Sequence, residues 1–272
     1  MIAWRLARLG CLALVFCAAV AAAYAQTPAT QEFTPSVGQS GKDVVWVPSP
    51  QALVDKMLDM AKVTPADFVM DLGSGDGRTV ITAAKRGARA LGIEYNPDMV
   101  ALSRRNAAAA GVGGRATFAQ ADIFQSDFSQ ATVITLFLLT DLNLKLRPTL
   151  LSLKPGLRVV SNTFKMGEWE PDQVFELGCD TYCTAYLWIV PARVEGKWQL
   201  PQGDLTLNQE FQKITGTLKT SASSVQISGG RLRGDEIRFM AGGSQYRGRV
   251  KSGAIEGTVK SGNGTGSWSA RR

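Results

Sequence analysis

Hydrophobic and polar positions follow two different periods along this chain, and the change comes near residue 193. Before it, stretches of helical spacing alternate with short apolar runs. Leu53, Val54, Met57 and Leu58 share one face of a predicted helix over 50–61, with Ser49 as N-cap and Pro50 in the first turn. Phe68, Val69 and Met70 begin a strand that runs into a glycine turn and a second helix. Next come a strand over 90–94, a helix over 97–110 that Asn96 caps and Gly111 ends, and strands over 116–120 and 133–139. A helix over 142–153 containing Pro148, a strand over 158–162 and an antiparallel pair over 174–177 and 185–190 complete this half. Strand and helix in alternation predict an α/β fold, a doubly wound Rossmann-like sheet.

From about Gly196 the period shortens to two, punctuated by glycine and serine. Gly230-Arg-Leu-Arg-Gly234 recurs in form as Gly253-Ala-Ile-Glu-Gly257, 23 residues later, which reads as repeated hairpins. Phe211, Ile214, Leu218, Val225, Ile227, Leu232, Ile237, Phe239, Tyr246, Val250, Ile255, Val259 and Trp268 are the expected interior of a small all-β barrel or sandwich. The expected organisation is a leader at 1–25, a loose Thr/Gln/Ser/Gly linker at 26–43, an α/β domain at 44–192 and a β-rich domain at 193–272.

The chemistry gathers between Phe68 and Pro97. Asp71-Leu72-Gly73-Ser74-Gly75-Asp76-Gly77 follows the first strand, and Glu94 ends the second, 21 residues after Gly73. Glycines without Cβ atoms let a ligand lie against backbone N–H groups at a helix start, and an acid at that offset reaches the ribose hydroxyls of an adenosyl group. A dinucleotide fingerprint requires glycine where Arg78 stands, and Asp71 would repel a pyrophosphate. Asp71 suits a cationic ligand instead.

This loop resembles motif I of the seven-strand, class I methyltransferases, whose cofactor is S-adenosylmethionine. The likeness narrows through Val47-Pro48-Ser49-Pro50, DLGSGDGRTVITAAKRGARALGIEYNP, Asp122, VITLFLLTDLN, LKPGLRVVSNTF and Trp169, over residues 44–192. Together these are similar to a small family that contains the mitochondrial inner-membrane protein-lysine methyltransferases and bacterial relatives. The resemblance implies cofactor contacts from Asp71, Gly73, Ser74, Gly75, Asp76, Gly77 and Glu94, with Asp122 accepting from the adenine amino group or, alternatively, capping a turn. It implies substrate-facing roles for Thr140, Asp141 and Asn143 after the fourth strand, although Thr140 stands where the family usually has proline. For Asp141 two readings stand, an acid that orients or deprotonates an acceptor amine and a plain helix-start acid. Phe164 and Trp169 read either as an amine pocket or as core, core packing being preferred. The implied acceptor is a protein lysine or another amine. A non-catalytic adenosyl-ligand binder and an envelope-binding module in the β-rich tail are the alternative functions.

The chain has no histidine and four cysteines, which excludes Ser-His and Cys-His catalysis and leaves no basis for a metal site. Of 30 basic and 23 acidic residues, 13 and 6 fall after residue 192, so the net charge of +7 belongs to the tail, a candidate contact for an anionic envelope component. No nucleic-acid partner is expected, and oligomeric state is unread. Arg5 and Arg8, the small-apolar stretch over 9–23 and Ala23-Tyr24-Ala25 form a secretory signal that predicts a periplasmic protein, with an uncleaved membrane anchor as the alternative. Export parts the chain from the cytosolic source of its cofactor. Cys179 and Cys183 flank a three-residue hairpin loop, either as two thiols or, in an oxidising compartment, as a disulfide.

Overall fold

The computed structural model describes residues 32–262 and 264–272, and Pro35–Arg272 forms one compact unit. The expected leader lies outside the described residues. Helix α1 (Gln51–Met60), strand β1 (Phe68–Leu72), α2 (Arg78–Lys85), β2 (Arg89–Glu94), α3 (Pro97–Ala109), β3 (Ala116–Gln120), β4 (Val133–Leu136), α4 (Thr140–Ser152) and β5 (Arg158–Asn162) alternate along the chain. Strands β6 (Gln173–Glu176) and β7 (Thr184–Ile189) form the closing hairpin.

The sheet order is β3-β2-β1-β4-β5-β7-β6. Met70 of β1 lies opposite Leu91 of β2 and Ile134 of β4, all parallel, whereas β7 runs antiparallel to both β5 and β6. The order reverses between β1 and β4, which opens a crevice at the carboxyl ends of these strands. Both faces are covered, so the strands read as apolar runs rather than alternations. Val69 points into one core with Leu53 of α1, Val80 of α2 and Val100 of α3. Its neighbours Met70 and Leu72 point into the other, with Leu146 and Leu150 of α4 and the buried Trp169 and Trp188.

A local signal sets the start of α3. The Asn96 side chain accepts from the N–H groups of Asp98 (2.8 Å) and Met99 (3.4 Å), and Pro97 begins α3. Ser49 does not cap α1 as expected. The N-cap is Pro50, and the Ser49 hydroxyl instead accepts from the Asn162 amide (3.0 Å), a partner 113 residues away that no local pattern encodes.

The tail folds as β8 (Gly196–Leu200), β9 (Gly203–Glu210), β10 (Lys213–Thr220), β11 (Ser224–Gln226), β12 (Ser228–Arg233), β13 (Glu236–Ala241), β14 (Ser244–Lys251), β15 (Ala254–Ser261) and β16 (Gly264–Arg271). Because β9 pairs with both β8 and β10, and β16 returns to β8, the antiparallel sheet closes into a barrel, with the short β11 attached to β10. Closure removes the unpaired edges that repeated hairpins would leave. The interior is filled: Phe239 stacks on Tyr246 with centroids 4.8 Å apart, and Trp268 meets both rings edge-on. Trp198, Leu205 and Leu207 add to the expected set. Phe211 departs from it. Its ring stacks on Trp169 of the first sheet at 6.3 Å, so it joins the α/β core rather than the barrel.

Candidate cofactor and acceptor site

The chain leaves β1 through a loop in which Gly73, Gly75 and Gly77 all have positive φ, at 78°, 55° and 83°. A Cβ on Gly77 would lie 2.8 Å from the Phe118 ring, and one on Gly75 would lie 2.7 Å from the Trp46 indole nitrogen. No side chain fits either place. The loop is pinned from behind, where the Ser103 hydroxyl donates to the Gly75 carbonyl (2.8 Å) and the Asn106 amide to the Asp76 carbonyl (2.9 Å). The Asp76 carboxylate is gripped by the Arg78 guanidinium at 2.6 and 3.0 Å, and Arg78 also donates to the Ser49 carbonyl (2.8 Å). Asp76 thus borders the cavity while its charge is already paired.

Two carboxylates remain poised on the cavity wall. Glu94 accepts from the backbone N–H of Gly75 (3.0 Å) and of Asn96 (2.9 Å), one on each oxygen, which orients it and leaves lone pairs for ribose hydroxyls. Asp71 is buried at the carboxyl end of β1 and accepts from the Thr135 hydroxyl (2.6 Å). Burial, reinforced by the nearby charges of Glu94 and Asp76 and opposed by the Thr135 hydrogen bond, pushes its carboxyl up to about 7. A cation placed beside it would reverse that shift. Asp122 lines the same cavity beyond β3. One of its oxygens accepts from the Phe124 N–H (2.9 Å) as the cap of a short 3-10 turn, and the other takes the Lys42 ammonium at 2.8 Å, the chief cause of a lowered carboxyl pKa.

Lys42 lies in the stretch expected to be a loose linker. Residues 38–46 instead form a small hairpin, with Gly38 N–H donating to the Trp46 carbonyl and Trp46 N–H to the Gln39 carbonyl, both 2.9 Å. Gln39, Lys42 and Trp46 line the cavity, so the linker reading fails for 39–43.

Thr140 and Asp141 are exposed in the first turn of α4, directly after the lining residues Leu138 and Leu139 but not themselves on the cavity wall. Asn143 is fully buried. Its amide donates to the Phe164 (3.1 Å) and Lys165 (3.4 Å) carbonyls, and its Oδ1 has no partner among the described residues. The substrate-facing expectation for Asn143 is therefore corrected: it braces the turn after β5. Trp169 is buried against Trp188 and Phe211, as core packing requires. Phe164 does reach the cavity, where it meets Phe137 (6.1 Å) and Tyr182 (6.4 Å). Phe137 and Tyr182 were missed because one looks like the end of a strand and the other like loop filler between two cysteines.

The cavity holds about 380 Å³, within the usual size of a small-molecule site. The Ser74 hydroxyl is buried beside it with no partner among the described residues, a polar atom awaiting a ligand. Bare glycine backbone, an oriented Glu94 and a charge-starved Asp71 fit an adenosyl group carrying a cation. Residues 71–173 match the family described as the ANTKMT methyltransferase domain. A protein-lysine N-methyltransferase of Saccharolobus islandicus is 42% identical over 151 residues, which span 54% of this chain and 94% of that enzyme. The chain belongs to this methyltransferase family. The adenine nucleotide translocase lysine N-methyltransferase of Mus musculus is 34% identical over 129 residues, 47% of this chain and 56% of that protein. The crystal structure of an RNA methyltransferase from Salinibacter ruber with S-adenosyl-L-homocysteine is similar at 49% identity and a TM-score of 0.52, covering 54% of this chain and 96% of that one. The protein is thus a class I, S-adenosylmethionine-dependent methyltransferase.

Proposed function

We propose that the protein methylates a lysine side chain of a protein. When bound, the cofactor supplies a methyl group activated by its sulfonium. The glycine loop, Ser74 and Glu94 bind the adenosyl part, and Asp71 faces its positive charge. The observation that carries the lysine reading is that one cavity joins these acids to an apolar wall of Phe137, Leu138, Leu139 and Phe164. An aliphatic stem packs against such a wall, which sets its terminal nitrogen beside the donor. The residues mainly align donor and acceptor and exclude water, which is most of what an in-line displacement requires. The names of the archaeal and mouse relatives support the same acceptor.

Labelled cofactor, purified protein and an envelope extract test it. Label on a protein band, recovered as methyl-lysine after acid hydrolysis, is expected; label confined to RNA, lipid or small molecules removes the lysine reading while methyl transfer stands.

Export is proposed on the Arg5, Arg8 and apolar leader pattern, and the Cys179–Cys183 disulfide suits an oxidising compartment. Among the described residues no helix is long and apolar enough to cross a membrane. An anionic partner for the barrel is proposed on one feature of its outer face: Arg238 of β13 stands directly opposite Arg247 of β14, whereas Arg231 of β12 on its other side is paired with Asp172. Like charges so placed repel, and an anion would relieve them.

A further inference from the structure

The turn between β6 and β7 carries a covalent bond that methyl transfer does not itself require. Cys179 and Cys183 are joined as a disulfide, with Cα atoms 5.7 Å apart, and the Leu177 N–H donates to the Cys183 carbonyl (2.8 Å) at the base of the loop. Tyr182 sits inside the bridged ring with φ at 56°, a left-handed conformation that a tyrosine keeps only where its surroundings impose it. Residues 178–182 are exposed, so the bridge and the ring contacts of Tyr182 are what tie this turn to the rest of the molecule.

Held in that conformation, Tyr182 is 40% exposed, yet its ring is engaged on the cavity side. Its ring meets Phe137 edge-on at 5.3 Å and Phe164 at 6.4 Å, and all three line the cofactor cavity. Phe137 directly follows β4 and Phe164 closely follows β5, so both are anchored at the ends of sheet strands. Tyr182 alone of the three is carried on the disulfide loop. We propose that these three rings form the subsite for the aliphatic ammonium side chain of the acceptor, and that the Cys179–Cys183 bond controls its affinity by holding Tyr182 in the wall. Ring faces and edges suit a hydrocarbon stem ending in a cation. Reduction by a dithiol would supply two electrons and two protons: the S–S bond breaks, two cysteine thiols form, and the dithiol closes to its own disulfide. Freed of the bridge, Tyr182 leaves the left-handed conformation and one wall of the subsite with it.

The inference rests on the amine-acceptor reading, and its test separates the two. Protein saturated with S-adenosylhomocysteine is titrated with Nα-acetyl-lysine methylamide, before and after treatment with dithiothreitol, with binding followed by saturation-transfer NMR. Reduction should weaken probe binding about tenfold, the scale of a lost aromatic contact with a cation. Affinity for S-adenosylhomocysteine should not change, which also reports that the fold is intact. The Cys179→Ser, Cys183→Ser double variant should behave as the reduced protein and ignore the dithiol. Tyr182→Ala should bind weakly in both states, and Tyr182→Phe should recover tight binding only when oxidised. Equal probe binding in the oxidised and reduced states overturns the redox control and leaves the amine reading intact. A response to the dithiol that persists in Tyr182→Ala overturns the role of that ring. Absence of probe binding in every state, with S-adenosylhomocysteine still bound, overturns both subsite and amine acceptor.

Discussion

At the scale of single residues, the cavity contains groups whose placement is unfavourable without a ligand. Asp71 is the clearest, since its charged form is penalised by burial and its carboxyl is raised to about 7. The linkage sign is the reverse of the usual carboxylate case. A folded-state pKa above the unfolded one means that the native state holds a proton the unfolded state has released, so stability falls as pH rises from about 4 to about 7. Asp71→Asn should therefore stabilise the ligand-free protein at pH 8, by on the order of 1 kcal/mol, and much less at pH 4. The same change should weaken S-adenosylmethionine binding, and the wild-type affinity should decline below about pH 7 while that of the variant stays flat. Thermal melts and isothermal titration at pH 6 and 8 check both limbs. A flat wild-type profile would detach Asp71 from the cofactor's charge. Gly75 presents a steric version of the same demand. With φ at 55° and the Trp46 indole 2.7 Å from any Cβ, Gly75→Val should abolish cofactor binding, whereas Glu94→Ala, which removes one oriented carboxylate, should cost about 1–3 kcal/mol. Titration of the two variants side by side distinguishes a blocked loop from a lost hydrogen bond.

At the scale of elements, what the sequence discloses depends on how far apart the partners lie. The glycine loop, the Asn96 cap and Glu94 fall within one strand-helix-strand unit, and their chemistry can be recognised from spacing alone. Lys42 with Asp122, 80 residues apart, and Ser49 with Asn162, 113 apart, depend on how the sheet is wound, which no local pattern contains. Asn143 misled for a related reason: its spacing after β4 matches a substrate-facing position, yet the helix phase turns it under the β5 turn. The start of α4 is where these limits can be tested. Leu139 is its N-cap and Thr140 its first residue, a position at which proline loses no helical hydrogen bond. Thr140→Pro should change stability by less than about 0.5 kcal/mol in a thermal melt. Asp141 is exposed at the positive end of the helix dipole, off the cavity wall. Asp141→Asn should cost about 0.3–1 kcal/mol of stability and lower turnover less than tenfold, below what a positioned acid or base contributes. A larger loss of turnover with unchanged affinity for S-adenosylhomocysteine would instead place Asp141 at the acceptor.

At the scale of the whole molecule, the barrel is fastened to the sheet rather than tethered beside it. Phe211 stacks on Trp169, the buried Gln212 amide donates to the Glu170 carbonyl (2.7 Å), and the Ala192 N–H donates to the Gly234 carbonyl (2.8 Å). Asp172 is the joint that tests this most sharply. Its side chain is 6% exposed, and it accepts from the Ile189 N–H (2.9 Å) of β7 while pairing with Arg231 of β12 at 3.0 Å. Removing the cation alone leaves a nearly buried carboxylate without its charge partner, a larger loss than the pair's own attraction. Arg231 is itself 30% exposed, so solvent and salt moderate the effect. Arg231→Ala is expected to lower stability by about 1–3 kcal/mol, and adding Asp172→Asn should restore part of that loss, because a neutral amide can still occupy the site without an uncompensated charge. Chemical denaturation followed separately by the tryptophans of the barrel and by S-adenosylhomocysteine binding reads the result. If the two parts form one cooperative body, Arg231→Ala shifts both transitions together, although the substitution is made in the barrel and the cofactor is held by the sheet. A barrel transition that moves while cofactor binding stays in place would show that each part folds alone, and would confine the consequences of Arg231 to the tail.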